Sequence, residues 1–531
     1  MLHSESRKKR TKDYIALSLF TCALLFNMTA CKNDIFMSQE DMAARLRLQL
    51  LADSAQDAQQ RLGLFISNHK DTLEADRLVS RYYQEGNEWV WLNDENEDFI
   101  EKAETTVHFL ENEVQKIGFT PKAFFTTEIL KDLEHFRTLD FDSTNTSVTK
   151  TMAELELNLS KAYIRYALGQ RYGFMNPHKV FNRLDKRKEG GYRIVYDVDI
   201  EQPSEDFTKL ALAHAADENP SLFLAGLESH HPVYNQLKER LTTDSTPDGR
   251  QRILCNMERL RWRHTQKTDS TQKHVFVNIP SQQLWAIRPD SVFSMRICCG
   301  AWKTKTPLLS SKIRLIQLNP EWNIPGSILR DEVSQHAGDS AYFARNDYFI
   351  VHRNTGDTIS PKDITRTQLR SGAYRVAQHS GPRNSLGRII FRFNNQFDVY
   401  LHDTNNKNAF NYDRRTISHG CVRIQRPFDM IKFLMSDAQE WTLDKIRMNI
   451  DMRPEGDKGK RYQCRRWRTL AWDISNWDRI PARYREVKTS VSNWPTTSDR
   501  NARNPRYSSL MNPQRDFIST TSSDCCKPSM H

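Results

Sequence analysis

A histidine and a cysteine lie close together in the sequence, in surroundings that could support acyl transfer. His402 ends the strand-like stretch FDVYLH, and Cys421 follows it by 19 residues within ISHGCVR. A cysteine thiol has a pKa of about 8.5, so it is a weak nucleophile at neutral pH without help. An imidazole within hydrogen-bond reach can take the thiol proton and later return it to a leaving amine. The two residues are therefore a candidate nucleophile and general base.

The residues around this pair suit the same chemistry. Gly420 allows a tight backbone turn and could direct N–H groups towards a developing oxyanion, each lowering the barrier by about 3 kcal/mol. Arg423 lies two residues after Cys421 and could bind a substrate carboxylate through two hydrogen bonds. Tyr400 lies two residues before His402, on the same face of an extended chain, and is predicted to line the site.

The residue types alone leave other interpretations open. A cysteine beside an apolar valine is often simply buried in a core. A metal site is a second alternative, because His402, Asp403, His419 and Cys421 are all ligand types. Structural zinc sites, however, usually have paired cysteines or histidines at short spacings, which this stretch lacks.

The hydrophobic pattern indicates which elements must position these residues. Up to about residue 240 the period is helical, and it predicts helices over 97–117, 153–171, 205–214 and 232–241. From about residue 275 the pattern alternates as in strands, in HVFVNIP, QQLWAI, SVFSMRI, KIRLIQLNP, RIIFRF and FDVYLH. Residues 321–375 are polar and irregular, which favours a lid or binding loop. The sequence therefore predicts an α+β protein of several domains.

The N-terminal residues are typical of an export signal. A basic run at 7–12 precedes an apolar stretch at 14–28, which is short for a membrane span and suits a signal peptide. The following Met-Thr-Ala-Cys resembles a lipobox, so Cys31 is predicted to carry lipid and to anchor the protein to a membrane. An ordinary signal peptide and an uncleaved anchor are the alternatives, and all three export the chain.

Charge indicates a class of partner. The net charge of +11 favours contact with polyanions such as nucleic acid, anionic lipid or cell-wall polymer. Because the basic run at 7–12 is interpreted as part of the signal, we expect no nucleic-acid partner.

The stretch HDT-x13-SHGCVR resembles the active-site signature of L,D-transpeptidases with a YkuD-type catalytic domain. The segments VNIP (277–280), LNPEWNIPGSI (318–328) and GPRNSLGRIIF (381–391) resemble the large, YcbB-type branch of that family. YIRYALGQRYGFMNP (163–177), HHPVY (230–234) and MERLRW (257–262) are similar to the helical scaffold of the same branch. The likeness covers about residues 60–455.

The resemblance implies a role for each residue of the motif. Cys421 would be the acyl-accepting nucleophile and His402 its general base, oriented by the backbone carbonyl of Asp403. His419 and Gly420 would shape the pocket, with Gly420 supplying backbone donors to an oxyanion.

The resemblance also implies a reaction. Cys421 would form a thioester with a peptidoglycan tetrapeptide stem, release D-alanine and pass the acyl group to a second stem as a 3→3 crosslink. The residues expected to contact the substrate are Tyr400, Ser418 and Arg423. No metal or cofactor is implied, and the protein is expected to be a monomer in the periplasm. A hydrolase on the same fold, or an inert lipid-anchored wall-binding scaffold, are the alternatives.

The likeness and the N-terminal pattern together divide the chain into successive regions. They are a signal peptide (1–31), a tether and first helix (32–60), a helical scaffold (61–262), a catalytic domain (263–455) with a lid at about 321–375, and an atypical basic tail (456–531). Two departures stand out. The small peptidoglycan-binding module usual before MERLRW is replaced by a connection of about 15 residues. No strand is evident after residue 455, where the tail is either a divergent segment that binds polyanions or the product of a shifted reading frame, and its last 35 residues are predicted to be disordered.

Overall fold

The computed structural model describes residues 39–68, 70–92, 99–142, 147–187, 190–265, 273–435, 440–451 and 461–472. The predicted signal peptide and Cys31 lie outside these residues. The chain forms two compact units. The helical unit comprises Met1–Gln115, Thr120–Ala167 and Ser204–Gly226, and the sheet unit comprises Lys116–Phe119, Leu168–Pro203 and Leu227–His531. Part of the predicted scaffold thus belongs to the sheet unit.

The helices are numbered in chain order. They are α1 (Gln39–Asn68), α2 (Glu74–Gln84), α3 (Phe99–Lys116), α4 (Thr126–Thr138), α5 (Val148–Tyr172), α6 (Pro177–Phe181), α7 (Glu205–Ala215), α8 (Pro220–Gly226), α9 (Pro232–Thr243), α10 (Pro247–Arg261), α11 (Gly326–Asp331), α12 (Ser340–Arg345), α13 (Arg366–Arg370), α14 (Pro427–Leu434) and α15 (Glu440–Asp451). Short 3-10 turns cover Pro121–Phe124, Val333–His336, Pro361–Asp363 and Lys407–Asn411. Among the described residues, no helix is both long and apolar enough to span a membrane.

The strands are numbered in the same way. They are β1 (Tyr196–Asp197), β2 (His274–Asn278), β3 (Gln283–Arg288), β4 (Ser291–Gly300), β5 (Leu308–Leu318), β6 (Trp322–Asn323), β7 (Tyr348–His352), β8 (Thr358–Ile359), β9 (Tyr374–Gln378), β10 (Ile389–Phe393), β11 (Leu401–His402), β12 (Thr416–Ser418), β13 (Val422–Ile424) and β14 (Arg461–Trp472).

Helical periodicity correctly predicted four helices of the N-terminal part. The segments 97–117, 153–171, 205–214 and 232–241 correspond to α3, α5, α7 and α9. In α3 the predicted apolar face is fully buried at Val107, Leu110 and Val114. The connection between α9 and α10 is short, at residues 244–246, so no further module separates these two helices.

The sheet unit is built on a curled sheet that closes on itself within the described residues. Its strand order is β1-β5-β10-β11-β13-β4-β3-β2-β14, and β14 also pairs with β5. The predicted strands HVFVNIP, QQLWAI, SVFSMRI, KIRLIQLNP and RIIFRF are β2, β3, β4, β5 and β10. One face packs into an apolar core with α14, including Ile297, Ile316, Phe391, Leu401, Val422, Ile424, Met430 and Ile431.

The prediction of a full strand over FDVYLH was wrong, because only Leu401–His402 pairs as a strand. The side chain of Asn395 accepts hydrogen bonds from the backbone of Phe397 and Val399 at 3.0 and 3.1 Å. Asp398 has a positive φ of 53°. These local bonds hold a turn that takes up the first part of the stretch, because an asparagine side chain competes with the ladder for backbone groups.

The prediction of an irregular lid over 321–375 was also wrong in its structure. The region forms a four-stranded sheet, β6-β9-β7-β8, with α11, α12 and α13, and we call residues 322–378 the small subdomain. It has its own core around Phe343, Ile350 and Val376. Several of its strands and helices are too short to leave a clear period in the sequence. Its role as a lid stays a prediction.

A strand that the sequence did not indicate follows the catalytic motif. Strand β14 pairs antiparallel with β5 and parallel with β2. Its register with β5 shifts between Gln463 and Arg468, and this interruption breaks the two-residue period that would have revealed it. The rest of the predicted basic tail, at 456–460 and 473–531, lies outside the described residues.

Candidate active site

Two neighbouring parallel strands bring the candidate nucleophile and base together. In β11 and β13, Leu401 is paired with Val422 and His402 with Arg423. The Val422 N–H donates to the Tyr400 carbonyl at 3.0 Å. This bond continues the pairing by one residue and places Tyr400 opposite Cys421. Alternate residues of a strand share a face. His402, Arg423, Tyr400 and Cys421 therefore share one face, while Leu401 and Val422 enter the core on the other.

His402 has the protonation state that a general base requires. It is 3% exposed, and burial lowers its pKa to about 4, with the positive charge of Arg423 acting in the same direction. The backbones of Asp403 and Leu386 oppose this shift. Within the described residues, the buried Nδ1 atom has no hydrogen-bond partner. The ring is therefore neutral at neutral pH and can accept a proton.

Cys421 is half-buried and holds its proton firmly. Burial raises the pKa of its thiol to about 11, although the Tyr400 backbone and the charge of Arg423 act in the opposite direction. Its Sγ contacts the carbonyl oxygen of Asp398 at 3.9 Å, and no hydrogen bond joins it to His402 among the described residues. A neutral thiol beside a neutral imidazole is thus the resting state, so the proton must move during the reaction and not before it.

This resting state predicts how Cys421 reacts with an alkylating reagent. Below its pKa the thiolate fraction of a thiol rises about tenfold per pH unit, so alkylation by iodoacetamide should keep rising from pH 6 to 10. Peptide mass spectrometry would measure the rate at Cys421, with free N-acetylcysteine as the reference. A plateau below pH 8 would contradict the neutral pair and indicate a preformed thiolate–imidazolium pair.

Arg423 lies beside both candidate catalytic residues. Arg423 is paired with Cys298 of β4. Burial lowers the pKa of its guanidinium group, and the neighbouring Cys298 and Cys421 oppose that shift. In the described part of the chain, Arg423 forms no ion pair, and its buried Nε has no hydrogen-bond partner. Buried charges are usually paired. The arrangement suits an incoming carboxylate.

The loop before Cys421 is held by its own hydroxyl group. Gly420 has a φ of +124°, which favours glycine, and its N–H donates to Ser418 Oγ at 3.2 Å. Ser418 Oγ donates in turn to the Cys421 carbonyl at 2.5 Å. Ser418 is thus occupied within the loop, and so is the N–H of Gly420. Among the described residues, the Cys421 N–H is without a partner. The oxyanion role of Gly420 and the substrate contact of Ser418 stay predictions.

His419 and Asp403 have partners that the sequence did not reveal. The half-exposed His419 lies with Nε2 2.8 Å from Glu332 Oε1, which belongs to the small subdomain. The Asp403 carboxylate accepts from the Arg388 N–H at 2.9 Å and from Lys407. It therefore holds the turn next to Leu386, whose backbone contacts His402. The contacts of His419 with Glu332 and of Asp403 with Arg388 join positions that are distant in the sequence, so no spacing rule indicates them.

Comparison with known proteins agrees with this architecture. Residues 272–445 match the family described as the L,D-transpeptidase catalytic domain, YkuD. Residues 76–241 match the family described as the scaffold domain. A Haemophilus influenzae protein named "Putative L,D-transpeptidase" is 29% identical over 250 residues, which are 46% of this chain and 49% of that protein. The match thus spans about half the length of that relative. The chain combines a YkuD-type L,D-transpeptidase catalytic domain with a scaffold domain, in the arrangement of YcbB-like proteins.

Proposed function

We propose that the chain is an L,D-transpeptidase that forms 3→3 peptidoglycan crosslinks through a thioester on Cys421. The observation that supports this most is the buried, neutral His402 on the same face as Cys421, on the neighbouring strand of a YkuD-type domain. Such an enzyme would act outside the cytoplasm, where peptidoglycan stems lie.

The first step forms the acyl-enzyme. Cys421 Sγ attacks the carbonyl between the third, diamino residue of a tetrapeptide stem and its terminal D-alanine, while His402 takes the thiol proton. The tetrahedral oxyanion is stabilised by a backbone N–H of the loop before Cys421. The C–N bond then breaks, and the imidazolium returns its proton to the amine of D-alanine, which leaves. A thioester on Cys421 remains.

The second step transfers the acyl group. The side-chain amine of a second stem attacks the thioester carbonyl and loses a proton to His402. The C–S bond breaks, and Cys421 leaves as a thiolate that recovers the proton from the imidazolium. The product carries a new amide bond between the third residues of two stems. If water attacks in place of the amine, the same site yields a tripeptide, which is the outcome of the competing hydrolase hypothesis.

Product analysis tests this proposal. The full chain is incubated with tetrapeptide muropeptides, and the products are separated and sequenced by mass spectrometry. The proposal predicts free D-alanine together with 3→3 dimers. Tripeptides without dimers would support a hydrolase, and unchanged tetrapeptides on folded protein would support the inert scaffold.

Arg423 is expected to recognise the carboxylate of the leaving D-alanine. Arg423→Gln should raise KM for a tetrapeptide donor about 10- to 100-fold, since a hydrogen-bonded charge pair contributes roughly 1.5 to 3 kcal/mol. Steady-state kinetics with a donor whose D-alanine is amidated provides the control. The wild-type protein and the variant should treat that donor alike, and a loss of the same size on both donors would contradict the carboxylate contact.

A further inference from the structure

Residues 301–306 follow β4 and bind the loop before Cys421 at two of its carbonyl groups. This loop, residues 418–421, is called the nucleophile loop. The Ala301 N–H and the Thr304 hydroxyl both donate to the Ser418 carbonyl at 2.9 Å. The Thr306 hydroxyl accepts from the Gly300 N–H at 2.8 Å and donates to the Gly420 carbonyl at 2.8 Å. Thr306 is 7% exposed, so its two hydrogen bonds are shielded from water.

The hydrogen bond from Thr306 determines more than the position of one carbonyl. In a trans peptide the C=O and the following N–H lie in one plane and point in opposite directions. A bond that fixes the Gly420 carbonyl therefore also fixes the direction of the Cys421 N–H. This restraint is needed because glycine, at a φ of +124°, could rotate this peptide at little cost.

Residues 301–306 pass so close to the end of β4 that position 300 must be glycine. A Cβ atom on Gly300 would lie 2.2 Å from the Thr304 carbonyl oxygen and 2.5 Å from the Thr306 nitrogen. Any other residue would therefore push the segment away from β4. The bare backbone of Gly300 thus lets Thr306 reach both its own strand and the nucleophile loop.

We infer that Thr306 is a positioning residue that directs the Cys421 N–H towards the oxyanion formed at the attacked carbonyl. The Gly420 N–H is already bonded to Ser418, and in the described residues the Cys421 N–H has no partner. It is thus the loop donor available to the oxyanion. The inference rests on the proposed acyl transfer at Cys421, and it adds a hydroxyl group that touches neither substrate nor nucleophile.

Two reactions of the same thiol separate this role from a merely structural one. Acetylation of Cys421 by p-nitrophenyl acetate passes through a tetrahedral oxyanion, whereas alkylation by iodoacetamide does not. Thr306→Val should slow acetylation about 10- to 100-fold, somewhat less than removal of an oxyanion donor, and leave alkylation within about twofold. Thr306→Ser should restore acetylation, because serine keeps the hydroxyl. Cys421→Ala supplies the background for both reactions.

Matched variants make the outcome decisive. Thr304→Val removes a hydroxyl from the same segment but not the restraint on the Gly420–Cys421 peptide, so its ratio of acetylation to alkylation should equal that of the wild-type protein. Thr306→Ala serves if the valine variant does not fold. An unchanged ratio in Thr306→Val or Thr306→Ala, including an equal fall in both reactions, would overturn the inference. Neither reagent is a peptidoglycan stem, so a failure with tetrapeptides would count against the proposed function alone.

Discussion

Replacing Cys421 with alanine is expected to abolish D-alanine release from a tetrapeptide donor, with a fall in kcat of at least about 10⁴-fold. Loss of the nucleophile in a covalent mechanism leaves only the catalysis that comes from binding and oxyanion donors. The half-buried side chain packs at the edge of the sheet core, and alanine fills the same place without its sulfur. The fold should therefore survive, as thermal unfolding can verify.

Cys255 offers a matched control for this experiment. Cys255 is a second half-buried cysteine of the sheet unit, in α10, away from the catalytic motif. Cys255→Ala should retain D-alanine release close to the wild-type rate. Appreciable turnover by a folded Cys421→Ala protein would show that another group attacks the stem, and the mechanism proposed above would be wrong.

The second large effect is expected at His402. His402→Gln should lower kcat/KM for the donor about 10²- to 10⁴-fold, because the glutamine amide cannot take the thiol proton. In the wild-type protein the active form is the neutral ring. Its pKa of about 4 therefore predicts activity that persists to about pH 5 and falls only as the pH drops through about 4.

The pH profile distinguishes a base from a residue that only packs. A residue that only packs would lower the rate without changing the pH at which activity is lost. The His402→Gln protein should instead lose the acid limb near pH 4 and show a rate that rises with thiolate formation towards the Cys421 pKa of about 11. An acid limb near pH 6.5 in the wild-type protein would mean that the ring is solvated, contrary to its 3% exposure.

The candidate site could be predicted from sequence through its likeness to the L,D-transpeptidase signature, whereas the residue types alone left other interpretations open. The stretch HDT-x13-SHGCVR contains Cys421, His402 and Arg423, and the structure pairs His402 with Arg423 in adjacent strands, with Cys421 directly before the second strand. Long helices such as α3 were predicted for a different reason, since a repeating apolar face records burial directly in the sequence.

Other parts of the site could not be predicted, because they depend on contacts between distant segments. Thr306 reaches Gly420 across 114 positions, and Glu332 reaches His419 across 87. The side chain of Asn395 accepts hydrogen bonds from the backbone of Phe397 and Val399, so a turn forms where the first half of a strand was predicted. In each case tertiary structure or side-chain capping, which leaves no period in the sequence, determined the outcome.

A thioester on Cys421 is tested most directly by intact-mass spectrometry of the full chain with a tetrapeptide donor. Without an acceptor, the protein should gain the mass of the donor minus D-alanine, and peptide mapping should place the adduct on Cys421. Neutral hydroxylamine should remove it, as it does a thioester. Release of D-alanine with no adduct at any time point, or an adduct on a residue other than Cys421, would contradict the account.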